Sequence, residues 1–285
     1  MNGHGNVRYE KYHGTGNDFV VVDAGDYVPD RAAFAERHCD RADGIGADGV
    51  LFLALEDRFD PPRVVMTLVQ PDGSTAAMCG NGARVAAEWA MERTDASEVM
   101  IDTQAGTRHA TRDGEYVAIE MGEPRFEPEV VPLADEYDEP MLGDELEGYA
   151  VTALNTGVPH AVVFVDDVVD VDLDAVAPPL RSHDAFPEGA NVTFASRDGD
   201  GGYDQRTYER GVEGETASCG TGAVAIAAAA RERERTESDV VEVSPPGGDL
   251  VVRFPADGTA TLVGPVTHEF DGEASTTVER VEPQA

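Results

Sequence analysis

Two cysteines of this chain sit in nearly the same company. Cys79 lies in MCGNGARVAAEWA, from Met78 to Ala90, and Cys219 in SCGTGAVAIAAAA, from Ser218 to Ala230. Each is followed by glycine, a polar residue and a second glycine, then by a run of helical character. A thiol at a helix N-terminus is acidified by the unpaired backbone N–H groups and the helix dipole. The glycines let the backbone come close to a ligand, and the same N–H groups make an anion site. If two such mouths cradle one carboxylate, a sulfur stands on each side of its acidified α-carbon. One sulfur then removes the α-proton as thiolate, and the other protonates the opposite face as thiol. This is a two-base inversion with both groups tuned toward neutral pH.

Other uses of the same residues fit less well. A cysteine is often only a small buried hydrophobe, and Cys39, in ERHCDRADG, is read that way because it lacks the glycine context. A zinc site needs about four converging ligands at short spacing; neither C-x-x-C nor H-E-x-x-H occurs, so no metal is expected. Pyridoxal phosphate, the usual electron sink for inverting amino acids, needs a Schiff-base lysine. Lys11 is the sole lysine, with no phosphate-binding glycine loop near it, so the chemistry is read as free of cofactors. A thiol redox protein using Cys79 and Cys219 stays open as an alternative, although the two lack C-x-x-C proximity.

The elements that must carry these cysteines come in two copies. Cys79 and Cys219 are 140 positions apart in 285 residues. In the same order, GNDFVVVDA from Gly16 answers GVPHAVVFVDD from Gly157, and GADGVLF from Gly46 answers GANVTF from Gly189. Gln70 stands nine residues before Cys79, and Arg210 nine before Cys219. Several matches at nearly one offset mark an internal repeat. Each copy reads as strands with one marked helix. In the first the expected strands are 19–22, 50–55, 64–69, 99–103 and 116–121. In the second they are 149–154, 161–165, 192–195, 205–209, 240–243, 250–254 and 259–263. Turn sequences such as RDGE and PADG separate them. The helix after Cys219 is apolar on every face from Ala223 to Ala230, as a buried helix is. The fold class expected is α+β: two pseudo-symmetric modules, each a barrel-like sheet around a central helix, with the active site in the cleft between them. The expected boundaries are 1–123 plus a C-terminal strand 266–285 for the first module, and 124–265 for the second.

Composition bounds the partners. Asp and Glu number 56 against 21 Lys and Arg, for a net charge of −35. The acid is spread along the whole chain, which reads as a solvated shell suited to a salt-rich cytoplasm. Such a surface argues against nucleic acid and anionic membranes as partners. No apolar stretch approaches the roughly 20 residues of a membrane span. The start of the chain has no apolar signal core, so a cytoplasmic protein is expected.

HGTGNDFVVVD, GIGADG, DGSTAAMCGNGAR, PHAVVFV, GANVTF and YERGVEGETASCGTGA together resemble the diaminopimelate epimerase family, in order along nearly the whole chain. The resemblance implies two barrel-and-helix modules and interconversion of LL- and meso-2,6-diaminopimelate without cofactor, on the route to lysine. It implies Cys79 and Cys219 as the catalytic pair. Gly80, Asn81, Gly220 and Thr221 would be the amides that hold the reacting carboxylate. Asn17 matches a substrate-contacting asparagine. Asn191 and Arg210 match groups that hold the distal carboxylate, Glu209 the acid that meets the substrate ammonium, and His160 a histidine that supports catalysis. An Arg fork suits a carboxylate. The sequence departs from the family pattern at Gln70, where asparagine is common, at Gly49, where some members have glutamine, and at Val158, where GNPH is common. The resemblance also implies a homodimer formed through a tail like HEFDGE, with Phe270 as an aromatic contact. Proline racemase and hydroxyproline epimerase share the architecture and remain the rival within the class; YERG with ETASCGTG favours diaminopimelate.

Overall fold

A computed structural model describes residues 5–277. The chain divides into two compact units. One takes residues up to 117 together with those from 265 onward; the other takes 118–264.

The first unit begins with strands β1 (Asn6–Gly14) and β2 (Asn17–Asp23), then helix α1 (Arg31–His38), β3 (Gly49–Glu56), β4 (Arg63–Val69) and the short β5 (Thr75–Ala76). Helix α2 (Gly80–Thr94), β6 (Glu98–Thr103) and β7 (Gly106–Asp113) follow. β1 and β2 are antiparallel, with Gly14 opposite Asn17. The two-residue turn between them has positive φ at Thr15 (51°) and Gly16 (79°), the pattern of a type I′ hairpin. β2 and β3 are parallel, and β3 and β4 antiparallel. β4 then runs parallel to β6. Parallel strands covered on both faces read as unbroken apolar runs. Phe19–Val22 and Val50–Leu53 do so, and all eight residues are buried. α2 packs against β1, β3, β4, β6 and β7, and its buried residues lie on every side, from Gly80 to Ala87 and from Trp89 to Met91.

The second unit holds most of β8 (Tyr116–Gly122), then β9 (Leu142–Leu146), β10 (Tyr149–Asn155), β11 (Pro159–Phe164), α3 (Leu173–Arg181), β12 (Asn191–Arg197), β13 (Tyr203–Glu209) and β14 (Gly214–Thr216). Helix α4 (Gly220–Glu232), β15 (Val240–Ser244), β16 (Leu250–Arg253) and β17 (Ala260–Gly264) complete it. The pairing scheme of the first unit recurs. β10 and β11 are antiparallel, β11 and β12 parallel, β12 and β13 antiparallel, and β13 and β15 parallel. α4 is buried from Ala223 to Ala230 with sheet around it, as its all-apolar sequence requires.

The last strand, β18 (Thr267–Ser275), returns to the first unit and pairs antiparallel with β1. β9 does the same for β10 in the second unit. The C-terminal strand expected over 266–285 is thus a strand over Thr267–Ser275, and its last eight residues lie outside the described ones. Among the described residues no helix is long and apolar enough to cross a membrane.

Candidate active site

Cys79 is the N-cap of α2, with extended backbone (φ −145°, ψ 119°). Its Sγ accepts the backbone N–H of Gly82 at 3.5 Å, and its carbonyl accepts that of Ala83 at 2.8 Å. The hairpin after β1 brings Asn17 here. The Asn17 Oδ1 lies 3.7 Å from Cys79 Sγ and accepts the Asn81 side-chain amide at 3.3 Å. Asn17 Nδ2 donates to Asp48 at 2.6 Å, which fixes the orientation of its amide. Behind this layer, Asp18 is held by Lys11 and Arg41, and Asp48 by Arg41. The hydrogen bonds from Arg41 and Lys11 outweigh burial and bring the Asp18 carboxyl down to about 2. Lys11 is itself buried, its ammonium closed between Asp18 and the Gly46 carbonyl.

Cys219 is the N-cap of α4 (φ −120°, ψ 101°), but its side chain accepts no capping N–H from the helix. It meets a hydroxyl: Sγ lies 3.4 Å from Thr221 Oγ1. Thr221 Oγ1 is 3.0 Å from His160 Nε2, and His160 Nδ1 is 3.2 Å from Thr193 Oγ1. Thr193 in turn is 3.2 Å from Thr207 Oγ1. Gln205 Nε2 closes the circuit, donating to Thr207 Oγ1 at 2.9 Å and to the Cys219 carbonyl at 3.0 Å. Strand register builds this face, since His160 lies opposite Asn191 and Thr193 opposite Thr207. His160 is wholly buried. Burial, with Arg210 as a nearby like charge, lowers its pKa to about 3, so it is a neutral imidazole at neutral pH.

These mouths match a family model for diaminopimelate epimerase over residues 9–127 and 152–269. The diaminopimelate epimerase of Methanocella arvoryzae is 44% identical over 277 residues, covering 94% of this chain and 96% of the relative. The chain belongs to the diaminopimelate epimerase family. That of Xanthomonas axonopodis pv. citri is 41% identical over 280 residues, 94% of this chain and 96% of its own. Among solved structures, a hydroxyproline epimerase from Agrobacterium vitis shares the fold, with a TM-score of 0.64 and 20% identity over 94% of this chain and 91% of its own.

Against this family background the remaining expected residues can be placed. Gly80 and Asn81 open α2, and Gly220 and Thr221 open α4, so their backbone N–H groups belong to the first turns. Asn191 joins the His160 circuit: its Nδ2 lies 3.5 Å from His160 Nε2, and its Oδ1 accepts the backbone N–H of Arg210 at 2.8 Å. Glu209 ends β13 and accepts the Thr216 hydroxyl at 2.5 Å. The Arg210 guanidinium donates to the carbonyls of Glu188 and Gly189. Gln70 donates to Ser74 inside its own turn, at 2.9 Å. Val158 and Gly49 provide no side-chain hydrogen-bonding group at their positions. Cys39 is buried in the first unit, and burial pushes its thiol up to about 12. One trio with metal-ligand spacing, Glu10, His268 and Asp271, occurs among the described residues. Glu10 there accepts from Tyr12, Trp89 and Arg93, so both its oxygens already have protein donors.

Thr156, Thr193, Gln205 and Thr207 were not among the expected residues. A signal for the last three exists. In NVTFA and YDQRTYE, alternation puts Asn191 and Thr193 on one face, and Gln205, Thr207 and Glu209 on one face. Polar side chains on the inward face of otherwise apolar strands mark a site. Thr156 sits in a turn and donates to the Thr221 carbonyl at 3.0 Å; nothing local in the sequence points to it.

Proposed function

We propose that this chain is a cytoplasmic diaminopimelate epimerase of lysine biosynthesis, inverting one α-carbon between LL- and meso-2,6-diaminopimelate with a thiol pair. The observation that carries this reading is the placement of Cys79 and Cys219 as N-caps of two equivalent buried helices in a chain of this family. In each turnover one cysteine, as thiolate, takes the α-proton. The electron pair delocalises into the carboxylate, whose oxygens accept N–H bonds from Gly80, Asn81, Gly220 and Thr221. The other cysteine, as thiol, delivers its proton to the opposite face. Asn17 and Gln70 contact the substrate. Glu209 meets an ammonium, Asn191 and Arg210 meet the distal carboxylate, and neutral His160 holds the Thr221 hydroxyl against Cys219. No metal or cofactor takes part.

The acidic shell suits a salt-rich cytoplasm, and a homodimer forms through β18, where Phe270 is 45% exposed beside Tyr9. Neither nucleic acid nor membrane is a partner.

The test is turnover of LL-diaminopimelate in D₂O. The meso product should carry deuterium at the inverted carbon, while the remaining LL substrate stays largely undeuterated at early times. Cys79→Ala and Cys219→Ala should each stop inversion. Equal early labelling of substrate and product would point to a single base. Turnover of proline or hydroxyproline instead, or thiol redox activity without any inversion, would replace this reading.

A further inference from the structure

Arg84 lies five residues after Cys79 on α2 and is fully enclosed, at 0% exposure. A guanidinium has five N–H donors. Here Nη2 donates to Thr15 Oγ1 at 3.1 Å, while Nε and Nη1 find no acceptor among the described residues. Among the described residues no carboxylate pairs with it. The group is wedged between the helix mouth and the hairpin turn: a Cβ placed on Gly14 would stand 3.2 Å from Nη2 and 3.5 Å from the Asn81 carbonyl. An enclosed cation without a counter-anion is costly. Burial brings Arg84 down to about 10, still protonated at neutral pH, and the one ionisable group that favours its charge is Cys79.

The second unit lacks this device. Five residues after Cys219 stands Val224. The wall beneath each helix differs in the same sense. A Cβ on Gly82 would touch Leu51 and Phe19, whereas one on Gly222 would meet Gln205 and Thr207. Cys79 Sγ accepts a helix N–H and Cys219 Sγ does not. The other charges around the first mouth cancel: Asp18 and Asp48, behind Asn17, are answered by Lys11 and Arg41. Around the second mouth stand neutral His160 and, at the end of β13, Glu209 and Arg210. The Asn17 Oδ1 contact at 3.7 Å favours a thiol at Cys79. A long neutral S–H···O contact is weak beside a full charge in an enclosed site.

We propose that Arg84 is the built-in counter-ion of Cys79, so that the first unit carries the resting thiolate and the second the resting thiol. The proposal rests on the acid–base reading of the pair and makes its members unequal. Arg84 is a positioning residue, acting through the charge state of Cys79. After one inversion Cys79 holds the substrate's proton and Cys219 is the thiolate. The enzyme returns to rest when Cys79 releases that proton to solvent and Cys219 takes one up.

The test reads each thiol separately. Intact protein is pulsed with iodoacetamide from pH 5 to 10, and alkylation of Cys79, Cys219 and Cys39 is followed by peptide mass spectrometry. In the wild type the midpoint for Cys79 should lie below that for Cys219, with Cys39 unreactive. Arg84→Met should raise the Cys79 midpoint by about one pH unit or more, slowing its alkylation at pH 7 about tenfold. The Cys219 midpoint should stay where it was, and Arg84→Lys should keep most of the wild-type value. Equal midpoints in the wild type would overturn the proposal, as would an Arg84→Met variant that leaves Cys79 unmoved or shifts both thiols alike. If Arg84→Met does not fold, the wild-type comparison decides alone. Alkylation does not require turnover, so a protein without epimerase activity would still answer this question.

Discussion

Gly82 and Gly222 hold the same place in the repeat, each three residues after its cysteine and each on a helix face pressed against the sheet. Alanine at the two positions should nevertheless have opposite effects. A Cβ on Gly82 would stand 3.4 Å from Leu51 and 3.5 Å from Phe19, which is ordinary van der Waals contact. A Cβ on Gly222 would stand 2.6 Å from Gln205 Nε2 and 3.2 Å from Thr207 Oγ1. The Gln205 side chain is almost fully buried. Displacing it breaks its bonds to Thr207 and to the Cys219 carbonyl.

Alanine in a helix is favoured over glycine by up to ~1 kcal/mol. For Gly82→Ala nothing opposes this, so stability should rise by about 0.5–1 kcal/mol. For Gly222→Ala, two buried hydrogen bonds left unmade cost about 1–3 kcal/mol each. Against the helix gain, the net is a loss of roughly 1–5 kcal/mol. At about 2–4 °C per kcal/mol for chains of this order, Gly222→Ala should lower Tm by about 2–20 °C, while Gly82→Ala raises it by about 1–4 °C. Differential scanning calorimetry of both variants in one buffer measures the contrast. Shifts of the same sign and size would refute the argument that the two helices rest on unlike walls.

Two further outcomes follow from the charged groups. His160 takes up its proton near pH 3 in the folded chain and near 6.5 unfolded. Between those values the unfolded state binds the extra proton, so its contribution is complete above pH 6.5 and falls by about 1.4 kcal/mol per pH unit below it. Urea midpoints at pH 7 and pH 5 should therefore differ by less in His160→Gln than in the wild type; an equal difference would remove His160 from the acid response. Lys11→Met leaves half-buried Asp18 with Arg41 as its remaining cation and should cost about 2–4 kcal/mol. It should also move the loss of Asp18's contribution, which lies below pH 3.8 and runs toward 2 in the wild type, to higher pH; an unchanged melt and acid limb would show that Arg41 suffices.

Much of this arrangement was legible in the sequence because it rests on local signals. The C-G-x-G boxes, followed by alanine-rich runs, mark helix mouths without any tertiary information, and α2 and α4 begin there. Apolar runs such as FVVV and VLFL identify buried strands. β1 and β7 were missed because NVRYEKYHG and GTRHATRD alternate charges with few apolar residues, and their pairing partners supply the order. α1 and α3 were missed for different reasons. α1 is short, though Asp30 caps it by accepting from Ala33 at 3.0 Å. α3 contains Pro178 and Pro179, which read as a break.

The least legible part is what lies behind each sulfur. The repeat makes the two boxes look interchangeable, and its first four positions are nearly so. The difference begins beyond the motif, in the sheet each helix rests on and in the fifth residue after the cysteine. A Cβ on Gly82 would meet Phe19 and Leu51, and one on Gly222 would meet Gln205 and Thr207. Where the second unit has Val224, the first has Arg84. Each substitution makes sense with the other. On the polar wall, neutral His160 holds the Thr221 hydroxyl of α4, and that hydroxyl meets the Cys219 thiol without any charge. Beneath Cys79 the wall is apolar, and on the proposal above a buried cation on its own helix favours the thiolate. Inversion of a carbon needs one partner that starts without a proton and one that starts with it. A duplicated chain with identical sites would have to reach that state by chance of titration, whereas unlike walls build it in.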